Sequence, residues 1–220
     1  MLVIVAASAA GVGVWLRTRT ERPVAAAATT TTTPRIPVTT VPPTTTQPVP
    51  VSTVPSVPVP CVPASVPGGV YAVGDSVLID AQVPLQSCVT NIQVNAVVSR
   101  QWSDGETIVR EAVAGTPPPS VVVVALGTNG PITDVDFDAM MSILKGVARV
   151  VFVTVEVDRP WQDQVNGVLE RGVSRYPSAV LADWHSLASQ HPEWLYSDGT
   201  HLPIGGPGAQ ALAWLVASKL

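Results

Sequence analysis

The sequence predicts an α/β domain in three layers, with helices on both faces of a central parallel sheet, over residues 69–220. The continuous apolar run 121–126 reads as a strand buried on both faces, and 150–157 reads as another buried strand. Segments of helical spacing separate the strand-like runs, so strands alternate with helices, which favours parallel βαβ connections. Serine and asparagine follow directly on two of the apolar runs, and sheets of this kind hold ligands beyond the carboxyl ends of their strands.

In chain order, the short apolar run 70–73 is a strand ended by Gly74, with a helix from Val77 onward. Residues 91–98 carry the Val and Ile of a second strand, and 105–114 read as a helix. The buried strand 121–126 precedes a helix over 134–147, with Val135, Ala139, Ile143 and Val147 expected on its apolar side. The strand 150–157 precedes a helix over 161–176, stopped by Pro177. A short strand at 180–183 and an amphipathic helix at 208–219 close the domain.

The first 68 residues differ in kind. Residues 1–22 hold an apolar run, 2–16, followed by Arg17, Arg19 and Arg22. The run is short of the ~20 residues of a spanning helix. The following arginines would put the rest of the chain in the cytoplasm, which conflicts with the features below. A natural start upstream of Met1 resolves the conflict, the run then being the end of a longer membrane protein. A signal peptide lacks its basic leader here, and a soluble chain with a frayed terminus is the plain alternative. Residues 23–68 are a Pro/Thr-rich linker that cannot bury a core and favours extended polyproline II, reaching on the order of 100 Å. The two cysteines, Cys61 and Cys88, lack the spacing of a zinc site. Their even number beside such a stalk suggests one disulfide in an oxidising compartment, against two buried thiols. A net charge of −4 without a basic patch excludes nucleic-acid binding, and no metal or cofactor motif is present.

Three short segments carry chemistry: Gly74-Asp75-Ser76, Gly127-Thr128-Asn129 and Asp198-Gly199-Thr200-His201. Ser76 is either a helix cap or a nucleophile aimed at the strand-end crevice, where a helix N-terminus favours developing negative charge. Asn129 is either a turn residue or an oxyanion donor. The spacing of Asp198 and His201 lets the carboxylate hold one imidazole nitrogen and leaves the other for the serine proton. His185 and His191 lack such a pattern, and Asp183 beside His185 reads as a strand-end cap. Together the three segments hold the inventory of acyl transfer.

The order Gly-Asp-Ser, Gly-x-Asn, Asp-x-x-His resembles the SGNH (GDSL-like) hydrolase superfamily over the whole domain from Val70 onward. The resemblance implies a flavodoxin-like fold and a Ser76, His201, Asp198 triad. It also implies an oxyanion hole made of the Ser76 amide, a second backbone amide and the Asn129 side chain. In the segment Asn95-Ala96-Val97-Val98-Ser99-Arg100-Gln101, Ser99 stands where that second amide normally belongs to glycine. This segment, Leu126 to Gly130, Arg159-Pro160-Trp161 with Val165-Asn166, and Trp194 to Leu202 resemble the extracytoplasmic domains of cell-wall (peptidoglycan) O-acetyltransferases. The resemblance implies a membrane-anchored serine acyltransferase acting outside the membrane through an acetyl-serine, with an acetylated donor, a carbohydrate acceptor and a membrane acyltransferase module as partners. Arg159, Trp161 and Asn166 are candidates for the substrate cleft or for ordinary packing at a helix start. A carbohydrate esterase, a lipase-like hydrolase and a non-catalytic glycan-binding module remain as alternatives.

Overall fold

The computed structural model describes residues 61–220. The apolar segment 1–22 and the linker up to residue 60 lie outside the described residues. Five strands, β1 (Val70–Gly74), β2 (Ile92–Ala96), β3 (Val121–Ala125), β4 (Arg149–Val153) and β5 (Ala179–Ala182), alternate with helices α1 (Ser76–Cys88), α2 (Trp102–Val113), α3 (Asp134–Ile143) and α4 (Gln162–Val173). The short α5 (Trp184–Ala188), a 3-10 turn at Pro192–Trp194 and α6 (Pro207–Ala217) complete the chain. All neighbouring strands are parallel, in the order β2-β1-β3-β4-β5. The order reverses between β1 and β3, the switch point at which such sheets open a crevice. The three-layer parallel architecture expected from the sequence is therefore present.

The layers follow from side-chain alternation. Val121 and Val123 of β3 and Val151 and Val153 of β4 join one core with Leu78 and Leu85 of α1 and Leu212 and Val216 of α6. Val122, Val124, Val150 and Phe152 point the other way, into a core with Val109 of α2, Phe137 and Met140 of α3 and Val165 and Leu169 of α4. Central strands with both faces covered have no polar face, so they read as unbroken apolar runs.

Several elements differ from expectation. The helix expected over 134–147 ends at Ile143. Its buried face is Phe137, Met140, Met141 and Leu144, while Val135 is exposed. A strict i+4 repeat drifts around a helix of 3.6 residues per turn, so 135, 139, 143 and 147 cannot share one narrow stripe. The strand expected over 150–157 stops at Val153, leaving residues 154–157 as a loop above the sheet. The helix expected over 161–176 spans Gln162–Val173. The helix α5 and the 3-10 turn are further elements with no sequence expectation behind them.

Residues 61–68 are fastened to the domain. Cys61 is disulfide-bonded to Cys88 at the end of α1. Ala64 forms a bridge with Val89, and the Asn91 amide both accepts from the Val66 N–H and donates to the Val66 carbonyl, at 2.9 and 2.7 Å. Among the described residues no helix is long and apolar enough to cross a membrane.

Candidate active site

The site forms where β1 passes into α1. Asp75, 1% exposed, caps α1 by accepting from the Val77 N–H at 3.0 Å. Ser76 is thus the first helical residue rather than the cap. Gly74 lets α1 lie close on β1, since a Cβ there would stand 2.4 Å from Leu78 Cδ2.

The loop before α6 brings His201 to the same point. His201 Nε2 lies 3.0 Å from Ser76 Oγ, and Nδ1 lies 2.7 Å from Asp198 Oδ2. The other Asp198 oxygen accepts from the Thr200 and His201 N–H groups, each at 3.0 Å. The Tyr196 N–H donates to the His201 carbonyl at 2.8 Å. The bond from His201, then these amides, hold the Asp198 carboxyl below the usual carboxylate range, so it stays ionised at neutral pH. Burial pushes the Asp75 carboxyl above that range, against the Val77 amide, Thr128 and the charge of His201.

Asn129 follows β3 in the adjacent loop. Its Nδ2 donates to Asp75 Oδ2 at 3.2 Å and, more weakly, to the Arg100 carbonyl at 3.4 Å. Gly127 in this loop has φ +118°, and a Cβ there would meet Val165 Cγ1 at 2.6 Å. Ser99 is exposed at φ +60°, the left-handed conformation that glycine adopts at least cost. Its turn is closed by the Arg100 N–H on the Val97 carbonyl at 3.3 Å. The structure thus gathers Ser76, Asn129, Asp198 and His201 at the carboxyl end of the sheet, with the Ser99 turn beside Asn129.

The three residues named for the substrate cleft separate. Asn166 is 5% exposed, and its amide is used up on one residue: it accepts from the Val155 N–H at 2.8 Å and donates to the Val155 carbonyl at 2.9 Å. It fastens α4 to the loop after β4 and lines no cleft, which corrects its cleft assignment. Trp161 donates from Nε1 to the Thr128 carbonyl at 3.3 Å and supports the Asn129 loop from below. Arg159 is exposed on a cavity of about 450 Å³, whose lining also includes Glu156, Asp158 and Gly199 of the His201 loop.

Two features escaped the sequence reading. Arg100 is 7% exposed, and its guanidinium donates to the Gly74 carbonyl at 3.1 Å, the Asn95 Oδ1 at 2.7 Å and the Asn95 carbonyl. It ties the ends of β1 and β2 together beneath the Ser99 turn. His185, which lacks the Asp-x-x-His pattern, pairs through Nδ1 with Glu156, and His191 pairs with Glu193 and stacks on Trp194. The Glu156 pairing spans 29 residues, so no local pattern signals it. Asp183 caps α5 by accepting from the Ser186 N–H, as its strand-end position suggested. Among the described residues no His/Cys/Asp/Glu cluster could hold a metal ion.

No family model matches the chain. The peptidoglycan O-acetyltransferase OatA of Listeria monocytogenes is 32% identical over 149 residues, 68% of this chain and 23% of that protein. The chain thus spans about a quarter of the length of such relatives. Among solved structures, the catalytic domain of Streptococcus pneumoniae peptidoglycan O-acetyltransferase A, carrying a methylsulfonyl adduct, superposes with a TM-score of 0.63 at 26% identity over 69% of this chain and 92% of that one. A carbohydrate esterase of family 3 from Talaromyces cellulolyticus shares the fold, with a TM-score of 0.53 at 18% identity over 69% and 95%.

Proposed function

We propose that this chain, a member of the SGNH (GDSL-like) hydrolase superfamily, is a serine-dependent O-acetyltransferase that acylates cell-wall glycan outside the membrane. The observation that carries the reading is the continuous relay from Asp198 through His201 to Ser76, at 2.7 and 3.0 Å, set at the start of α1. Kinship with peptidoglycan O-acetyltransferases supports the choice of acetyl group and acceptor.

In this reading His201 Nε2 takes the proton of Ser76 Oγ as the oxygen attacks the acetyl carbonyl of the donor. Asp198 holds Nδ1–H and stabilises the imidazolium that forms. The Ser76 and Ser99 amides and the Asn129 side chain receive the oxyanion, each donor worth about 3 kcal/mol in such sites. The amide proton now given to the Arg100 carbonyl at 3.4 Å is weakly held and free to turn to the oxyanion. Collapse of the intermediate breaks the donor's C–O bond, and His201 returns the proton to the departing alkoxide. A sugar hydroxyl then gives its proton to His201 and attacks the acetyl-serine; the acyl bond to Ser76 Oγ breaks, and His201 returns the proton to Ser76. No cofactor takes part. The cavity beside Arg159 opens next to the His201 loop and is the proposed seat of the acceptor glycan.

The wider arrangement is part of the proposal. Residues 1–22 provide a membrane segment, 23–68 a spacer whose last eight residues are fastened to the domain, and 69–220 the catalytic domain, with a membrane acyltransferase module supplying the acetyl group. Intact-mass measurement tests the chemistry. Incubation with an acetyl donor should add one acetyl group to the protein and none to Ser76→Ala, and a muropeptide should discharge it with acetylation of the sugar. Discharge to acetate alone, at the same rate with and without the muropeptide, rejects transfer in favour of hydrolysis. Equal labelling of Ser76→Ala rejects the nucleophile.

A further inference from the structure

His201 is held at three backbone points. Its own N–H donates to Asp198 and its carbonyl accepts from Tyr196. The third bond comes from another part of the chain: the N–H of Leu202, a fully buried residue, donates to Asp80 Oδ2 at 3.0 Å. Asp80 lies on α1 four residues after Ser76, hence on the same side of that helix. The bond therefore fixes the His201 loop to the helix that carries Ser76, across 122 residues of sequence. Asp80 thus meets the chain at the residue next to His201. Burial pushes its carboxyl up, and the Leu202 N–H and His201 pull it down. Asp198 is thus bonded to the imidazole, while Asp75 at the cap of α1 and Asp80 one turn on feel its charge.

We propose that Asp80 is a positioning residue of the acyl-transfer site: through Leu202 it sets the distance between His201 and Ser76, and its charge supports the imidazolium formed when Ser76 gives up its proton. This rests on the acyl-transfer reading above. Geometry and charge separate by substitution. Asp80→Asn keeps an oxygen to accept from Leu202 and removes the charge, whereas Asp80→Ala removes both. In p-nitrophenyl acetate turnover, Asp80→Ala should lower kcat roughly 100-fold with little change in KM, as a misplaced base does. Asp80→Asn should lower kcat roughly 3- to 10-fold, the size of one screened charge near the reacting group, and move the acid limb of the pH–rate profile to lower pH. The sign follows because an anion near His201 favours the protonated ring, so its loss lets the ring deprotonate at lower pH.

Ser76→Ala in the same assay separates the two ideas. If it turns over ester as fast as wild type, the acyl-transfer reading fails regardless of Asp80. The His201 ring resonances, titrated by NMR in wild type and Asp80→Asn, then still report the charge effect as a lower midpoint in the variant. Asp80→Asn carries the test if Asp80→Ala does not fold. Wild-type kcat and an unmoved acid limb and ring titration in Asp80→Asn, with only the melting temperature lowered, would reduce Asp80 to a structural link and overturn the proposal.

Discussion

Gly74 is where a single methyl group should reach the chemistry. A Cβ built there stands 2.4 Å from Leu78 Cδ2 and 2.5 Å from Leu78 Cβ. The methyl can rotate aside, but the β-carbon moves only with the backbone of α1. Restoring ordinary contact at 3.4 Å displaces that backbone by roughly 0.9 Å, and Ser76 opens the same helix. Gly74→Ala should therefore cost about 1–3 kcal/mol of stability as overpacking. It should also disturb the 3.0 Å approach of His201 to Ser76, lowering kcat/KM roughly 100-fold. Urea titration reads the first effect and p-nitrophenyl acetate turnover of the folded fraction reads the second. Adding Leu78→Ala removes the clashing methyl and leaves the β-carbon in place, so the double variant should stay impaired. Wild-type turnover by Gly74→Ala, or recovery in the double variant, refutes the reasoning.

Three further outcomes follow from the structure. Replacing Cys61 and Cys88 by serine opens a crosslink of sequence separation 27. The loss should be about 3–4 kcal/mol of stability on the chain-entropy account, with turnover unchanged at temperatures where the variant stays folded; a parallel fall in kcat of the folded protein contradicts this. Asn166→Ala strands the Val155 N–H and carbonyl and should lower stability by about 2–4 kcal/mol without raising KM for the acceptor; a selective KM effect would restore Asn166 to the cleft. Asp198→Asn should cut turnover roughly 10³–10⁴-fold, since the imidazole loses its orienting anion. Because its folded value is depressed, Asp198 contributes stability above the unfolded carboxylate pKa and loses it as pH falls through the lower folded one. The stability difference between wild type and Asp198→Asn should hold from neutral pH to about pH 4 and close below it, as acid unfolding curves will show.

What was legible in the sequence tracks how local each signal is. The strands β3 and β4 announced themselves because a doubly covered strand has no room for polar residues. The face of α3 was misread because four valine, alanine and isoleucine positions at i+4 spacing imitate a stripe while Phe137, Met140 and Met141 form the real one. The helix α5 has only five residues, too few to show a period. At the candidate site, Ser76, Asn129, Asp198 and His201, which the fold brings together, each sit in a short motif just past a strand or beside a partner. Asn166 was misplaced because a buried amide paired with a backbone looks, in sequence, like any polar residue on a helix. Arg100, Asp80 and the Glu156–His185 pair act through partners distant in the chain or through carbonyls that carry no side-chain signature.

The helix α1 has a working end and a moored end. Ser76 opens it and Cys88 closes it, and the crosslink to Cys61 lies at the closing end. Thirteen helical residues measure about 20 Å. Cys61 is therefore fastened at the end of the helix away from Ser76. A crosslink placed there steadies the helix from its far end and leaves the residues around Ser76 free of covalent restraint.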